Sequence, residues 1–423
     1  MAKTMEEYFN DAFQEDIFNR KMAAVNLMKI INENNSSLTI ALNSEWGTGK
    51  TTFIKKWINA LNEQKEEYIS IYLNAWESDH FNNPILAIMY AMEDFLVKVN
   101  NIHSNDITTA VIEVAKGLVN LATKGVVNID KIKASLDKKD IKELYNEMKT
   151  ISEIKKDLEK QLLNIKGNKK VIFFVDELDR AKPNFVVDLI EVLKHFFEVE
   201  GYYFILATDR SQLNSIVKKR YGEDISSNGY LRKMIDLDYN LKKPSLDKYF
   251  DSKFSYIERE YVKLKNIIDN LKKLTIINNY SLRYVDKLEI YISIIAPRLN
   301  KNLSRENHTK YLLDVVFSIL IFIRAKDTVD YNNLINSKDK VYEVLLKYKM
   351  IDFEIEFSEN GSPLDFNETI IKIFSIICDK SSLKTNLEKK IIINNISQGY
   401  YNFFRDGKLK YIDELEFLNG FDV

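Results

Sequence analysis

Cysteine is nearly absent: the chain of 423 residues has one, Cys378, in the apolar run IKIFSIICDK. A lone thiol excludes an internal disulfide framework, and its apolar setting reads as a core side chain rather than a nucleophile. Histidine is scarce too, four in all and scattered, so no structural zinc pattern forms. Net charge is missing as well, with 61 basic residues against 62 acidic ones and a formal total of −1. No global field therefore draws the chain to nucleic acid or an anionic membrane, and nucleic acid is not indicated as a partner. Long apolar runs are lacking: VVFSILIFI (315–323) and GLVNLAT (117–123) fall short of the roughly 20 residues that a spanning helix needs. The first residues, MAKTMEEYFNDAFQED, are acidic and mixed, unlike an export signal. Together these absences lead us to expect a cytoplasmic protein with no transmembrane segment.

What is present is globular composition, 45% hydrophobic and 29% charged, at a length that suggests two or three domains. Residues 16–33 place Ile17, Ala23, Ala24, Leu27, Ile30 and Ile31 at helical spacing. LTIAL (38–42) reads as a buried strand, KTTFIKKWINALNEQ as a helix and YISIYLNAW (68–76) as a second strand, the start of a parallel α/β sheet. About ninety residues without strand character follow, a helical insertion over about 85–168. Within it, 107–128 is apolar nearly all round, and 139–165 is amphipathic with a solvated charged face. Strands are expected again at VIFFVDELDR (171–180), YYFILATDR (202–210) and MIDLDYNL (234–241), with helices between them. Pro244 closes this first domain, 1–244. Residues 245–423 read as mainly helical, with a small hairpin near IDFEIEFSENGSPLDF (351–366).

The stretch with the most chemistry is Asn43-Ser44-Glu45-Trp46-Gly47-Thr48-Gly49-Lys50-Thr51-Thr52, between the first strand and a helix. A phosphate-binding loop has Gly, four residues, Gly-Lys, then Ser or Thr in that context. Here the tail is intact and Ser44 stands at the leading position. Gly47 and Gly49 let the backbone curl so that successive N–H groups and the helix N-terminus face phosphate. Ser44 is costly only if its φ must be positive. Residues 44–52 are thus the expected nucleotide contacts, with Lys50 reaching the β- and γ-phosphates of ATP and Thr51 giving its hydroxyl to Mg²⁺. Asp176-Glu177 end a buried strand at the edge where α/β sheets bind ligands. Asp176 would hold Mg²⁺ through water and Glu177 would act as general base. Thr208 and Asp209 end the neighbouring strand, as γ-phosphate sensors or simply as a helix N-cap.

The pieces EDIFNRKMAA, EWGTGKTT, NAWES, FFVDELDR, ATDRSQL, GYLRKMIDLDYNLKKP and YSLRYVDKL occur in that order over roughly 16–290. In that combination the chain resembles the KAP family of P-loop NTPases, relatives of the AAA+ ATPases. The resemblance implies an AAA-like core with a lid-like region at 245–295, leaving 296–423 unassigned. It departs at Ser44, where a glycine is usual. It departs again at 107–128, where many members carry membrane helices but Glu113, Lys116 and Lys124 intervene, which suggests a soluble branch. By the same resemblance Arg232, or next Arg220, is the arginine finger acting on a neighbour's nucleotide, which implies a homo-oligomer. Arg180 would pair with Asp179 or reach across a subunit, and Arg283 would be the sensor arginine of a helical lid. Arg20 and Phe18 would meet the adenine, while Trp76 packs the sheet.

Three readings follow. The first is an ATPase whose cycle drives assembly or a conformational change, with a role in bacterial defence against phage implied by resemblance alone. The second is a nucleotide-gated scaffold with little turnover that recruits a partner protein through 107–128. The third is a nucleic-acid motor, which the neutral charge and the lack of a basic-aromatic platform disfavour.

Overall fold

The computed structural model describes residues 4–14, 16–99, 141–302, 308–350, 358–359, 362–363 and 374. They form two compact units, Met1–Pro244 and Ser245–Val423.

The first unit begins with α1 (Met5–Ala12), closed at its start by a capping box in which Thr4 and Glu7 satisfy each other's backbone. The next helix, α2 (Lys21–Glu33), starts five residues later than its periodicity suggested. Asn19 sits at φ 52°, which no helix can incorporate, and so Ile17 lies outside the helix. Then come β1 (Leu38–Asn43), α3 (Lys50–Asn62), β2 (Tyr68–Asn74) and a short α4 (Ala75–Ser78). The second strand ends before Trp76 because Asn74 Oδ1 accepts the N–H groups of Trp76 and Glu77, turning the chain into α4. The insertion shows α5 (Pro84–Val99) and α6 (Ile141–Lys166), in whose later turns Lys155, Lys156, Asp157, Glu159 and Lys160 are exposed and Leu158 and Leu162 buried. The apolar segment 107–128 lies outside the described residues.

Next are β3 (Lys170–Asp176), a single 3-10 turn at Leu178–Arg180, α7 (Pro183–Phe196), β4 (Tyr202–Thr208), α8 (Arg210–Tyr221), α9 (Ser227–Met234) and β5 (Leu237–Asn240). The five strands form one parallel sheet in the order β2-β3-β4-β1-β5. Alternate side chains divide between its faces. Ile40, Leu42, Ile172, Phe174, Tyr203 and Ile205 pack with α1, α2 and α3, whereas Ala41, Phe173, Val175, Phe204 and Leu206 pack with α5, α6, α7, α8 and α9. Trp57 of α3, fully buried, meets Phe174 edge-on at 5.1 Å between centroids, a pairing worth about 0.5–1.5 kcal/mol beyond burial itself. Because all strands run the same way, β1, β3 and β4 finish at one edge.

The second unit is a helical assembly: α10 (Leu246–Glu260), α11 (Lys265–Ile277), α12 (Leu282–Asn302), α13 (His308–Lys326), α14 (Thr328–Asn336) and α15 (Val341–Lys347) around one apolar core. The apolar run 315–323 is the buried centre of α13. Two short strands, Ser358–Glu359 and Ser362–Pro363, pair antiparallel where the hairpin was expected. Cys378 lies outside the described residues. Among those residues no helix is long and apolar enough to cross a membrane.

Candidate functional site

At the C-terminal end of β1 the chain leaves the sheet as a loop whose two glycines take left-handed φ, Gly47 at 71° and Gly49 at 86°. Ser44 does not, so a side chain at that position costs no backbone strain. Its hydroxyl contributes a contact that glycine could not make. Thr48 Oγ1 donates its single proton to Glu45 O at 2.8 Å, so Ser44 Oγ must be the donor to Thr48 Oγ1 at 2.7 Å. Both side chains are buried. The loop is thus laced by its own side chains and pinned to β4 by Ser44 N–H donating to Thr208 O.

Gly49 begins α3 without any side-chain cap. The first N–H groups of the helix, at Lys50, Thr51 and Thr52, are therefore open to an anion. Lys50 is buried and its Nζ donates to Ser44 O at 2.5 Å and Glu45 O at 3.1 Å. Burial lowers its pKa from the usual lysine value, opposed first by Asp179 and then by Asp209 and Asp176, with Arg180 adding to the lowering. Thr51 is half-buried and Thr52 exposed in the first turn. Glu45 is exposed and paired with Lys243 at 2.7 Å.

The acids come from the next strands. Asp176, 1% exposed, ends β3 and accepts from Tyr72 Oη at 3.1 Å and from Glu177 N–H at 2.9 Å, contacts that fix the carboxylate plane. Burial, then Asp176, pushes the Tyr72 hydroxyl pKa up, so it stays a donor at neutral pH. Glu177 is one of five non-glycine residues described with positive φ, at 54°. Its Oε1 meets Arg180 Nη1 at 3.1 Å, so Arg180 pairs with Glu177 and not with Asp179. Trp76, expected in the sheet, is 52% exposed on α4 with its ring 5.9 Å from the Arg180 guanidinium carbon.

Asp179 entered the sequence reading only as a possible partner of Arg180. Its side chain is 3% exposed, and Oδ2 accepts from Trp46 Nε1 at 2.7 Å and Asp209 N–H at 2.9 Å while standing 4.0 Å from Lys50 Nζ. One carboxylate therefore joins the loop, the end of β4 and the lysine. Its only sequence signal was its place three residues after Asp176 in the same acidic box; Tyr72 carried none beyond being polar in an apolar strand.

Thr208 is fully buried, opposite Asn43 in the sheet register. Asp209 caps α8, its Oδ1 accepting from Ser211 N–H and Oγ. Arg20 is 4% exposed and bridges two carbonyls, Gly49 O at 3.3 Å and Lys242 O at 3.1 Å, with Phe18 beneath it at 5.1 Å. Burial lowers its pKa to about 10, against the pull of Asp16, which leaves it charged at neutral pH. Arg220 lies 3.7 Å from Asp188 on the neighbouring α7. Arg232 is exposed on α9 and makes no hydrogen bond or ion pair with the described residues. Arg283 is exposed at the start of α12 in the second unit.

The geometry brings together a curled glycine loop, an uncapped helix start, a buried ammonium and three carboxylates from the ends of two strands. A solved structure, that of the Aeropyrum pernix ORC2 protein in ADPNP–ADP complexes, is similar at 13% identity over 94% of this chain and 86% of that one. Its TM-score of 0.35 is too low to bear on function. No curated protein matches. The profile of the KAP family P-loop domain, however, matches residues 20–340, most of the chain, and by that match the chain belongs to the KAP family of P-loop NTPases.

Proposed function

We propose that this chain binds ATP with Mg²⁺ at the loop edge and hydrolyses it, the cycle driving assembly or a change of conformation. The observation that carries this reading is the buried Lys50 ammonium, set beside an uncapped helix start and 4.0 Å from Asp179 Oδ2, with Asp209 and Asp176 near enough to act on its charge. Phosphate oxygens fit that place, because Lys50 can exchange its carbonyl partners for them and the first turn of α3 offers N–H groups. A divalent cation fits too, since three carboxylates converging on a phosphate cradle would repel its ligand without one. Among the described residues no group of three or more His, Cys, Asp or Glu could hold a metal by itself. Thr51 and Asp176 would therefore supply only part of the shell, with phosphate and water oxygens completing it. When bound, Mg²⁺ neutralises charge on the phosphates as the anhydride bond breaks.

Glu177 would accept the proton of the attacking water, with Thr208 and Asp209 orienting it at the end of the strand between loop and acids. Trp46 would hold the loop tip through Asp179, and Arg20 would brace the loop at Gly49. Arg232, exposed and unengaged among the described residues, would act on the nucleotide of another copy, and Arg283 would serve as the sensor in a helical lid. A cytoplasmic setting rests on the near absence of cysteine and the acidic, mixed first residues, and a role against phage on family resemblance alone. One contact favours the second reading, a nucleotide-gated scaffold with little turnover: the Glu177 carboxylate is already engaged by Arg180.

Phosphate release from ATP across a range of protein concentrations tests the proposal. Specific activity that rises with concentration, and that Glu177→Gln, Arg232→Ala or EDTA removes, is the expected result. Tight ATP binding with wild-type turnover no greater than that of Glu177→Gln would hand the case to the scaffold.

A further inference from the structure

The pair formed by Glu177 and Arg180 has features that a casual surface ion pair lacks. Both side chains are largely covered, at 18% and 26% exposure, so water screens the pair less than it would an open one. Arg180 holds Glu177 twice, through Nη1 to Oε1 at 3.1 Å and through its own backbone N–H to Glu177 O at 3.1 Å. Glu177 occupies φ 54° and ψ 31°, a conformation that L side chains rarely adopt and that persists only when surrounding contacts over-determine it. The Glu177 N–H is meanwhile taken by Asp176 Oδ1 at 2.9 Å. On its other side the guanidinium lies near the Trp76 ring, at the start of a helix that Asn74 caps.

The choice of partner is itself informative. Asp179 immediately precedes Arg180, yet Asp179 Oδ2 is committed to Trp46 and Asp209. Asp176 is committed to Tyr72 and the Glu177 N–H. Of the three acids in the box, Glu177 is the one with a carboxylate turned to the arginine. A general base must bring an oxygen lone pair to water at hydrogen-bond distance, and with Oε1 held by the arginine the carboxylate cannot turn freely to present Oε2.

We propose that Arg180 is a positioning residue that restrains Glu177, so that turnover is limited by how often this ion pair opens, with Trp76 stabilising the closed arrangement. The inference rests on the ATPase reading above. It makes the slow-turnover scaffold and the ATPase two settings of one site, separated by a single contact.

Steady-state ATP hydrolysis by the full chain tests it, comparing wild type with Arg180→Ala, Arg180→Lys, Trp76→Ala, Glu177→Gln and the double variant Glu177→Gln/Arg180→Ala. Release of the restraint is expected to raise kcat about three- to tenfold in Arg180→Ala while KM for ATP changes less than about twofold. Trp76→Ala should move kcat the same way by less, Arg180→Lys should restore most of the restraint, and the double variant should be no faster than Glu177→Gln. Thermal melting checks that each variant folds, and if Arg180→Ala does not, Trp76→Ala and Arg180→Lys carry the sign of the effect. A wild type whose activity depends on Glu177, with kcat in Arg180→Ala unchanged or lower, overturns the restraint and leaves the ATPase reading standing. A fall of about a hundredfold would make Arg180 a cation required for the reaction, the opposite role. If ATP binds but neither wild type nor Arg180→Ala exceeds Glu177→Gln, the ATPase reading fails and the restraint fails with it.

Discussion

The loop at 44–50 and the acidic box at 176–180 face the same edge of the sheet but are held together in different ways. In the loop, partners are near in sequence: Ser44 with Thr48, Thr48 with Glu45 O, Lys50 with Ser44 O and Glu45 O. In the box, partners come from other elements: Tyr72 from β2 for Asp176, Trp46 from the loop and Asp209 from the end of β4 for Asp179. Local there are the contacts between Glu177 and Arg180 and the Glu177 N–H bond to Asp176 Oδ1. The cradle is thus laced mostly by its own residues, with ties outward to Thr208 O, Arg20 and Asp179, whereas the acids take up their geometry only once four strands have paired in order.

Substitutions can break or sharpen that contrast. Lys50→Ala should have the largest effect, cutting phosphate release by about 10²–10³-fold with little change in melting temperature, because the loop's shape does not depend on the ammonium alone. Survival of turnover would show that the cradle is not the site of chemistry. Asp179→Ala should act on both regions together, since it deprives the Trp46 indole and the Asp209 N–H of their acceptor. About 1–3 kcal/mol of stability should go, and Trp46 emission should shift, with Asp179→Asn milder on both counts. An unshifted spectrum would mean that box and loop are not joined through this carboxylate. Gly49→Ala places a Cβ at φ 86° and 3.3 Å from Arg20 Nη1, so a loss of about 1–2 kcal/mol in chemical denaturation is expected. Ser44→Ala is the gentlest: losing one hydroxyl bond should cost about 1 kcal/mol. An ATP affinity improved in Ser44→Ala would show that the lacing opposes binding instead of preparing it.

Much of the first unit was legible because its signals are local. Buried strands of four to seven apolar residues, glycines ahead of Lys50 and carboxylates after VIFFV each declare themselves within ten residues. The late start of α2 was not, because the periodicity from Ile17 onward is helical and only the left-handed turn at Asn19 interrupts it. Nor was the end of β2: NAW continues an apolar pattern, and the Asn74 side chain decides the matter by capping α4. Trp76 read as a sheet residue for the same reason. Asp179 stayed hidden because an acid in an acidic box looks like one more carboxylate until two distant donors are seen to converge on it. Arg180 was expected to pair with Asp179 or reach across a subunit, yet Asp179 Oδ2 is taken by Trp46 and the Asp209 N–H.

The amino-acid order by itself determined that a parallel α/β unit carries a phosphate loop and, further along, a strand tipped with Asp176 and Glu177. Those features need only hydrophobic period, glycine freedom and a helix start, all properties of neighbouring residues. That Asp179 joins loop to strand, and that it is thereby closed to Arg180, were decided by tertiary structure alone. Each depends on which buried acceptor is nearest when β4 slots between β1 and β3, and that competition among groups up to 133 positions apart is settled only in the folded chain.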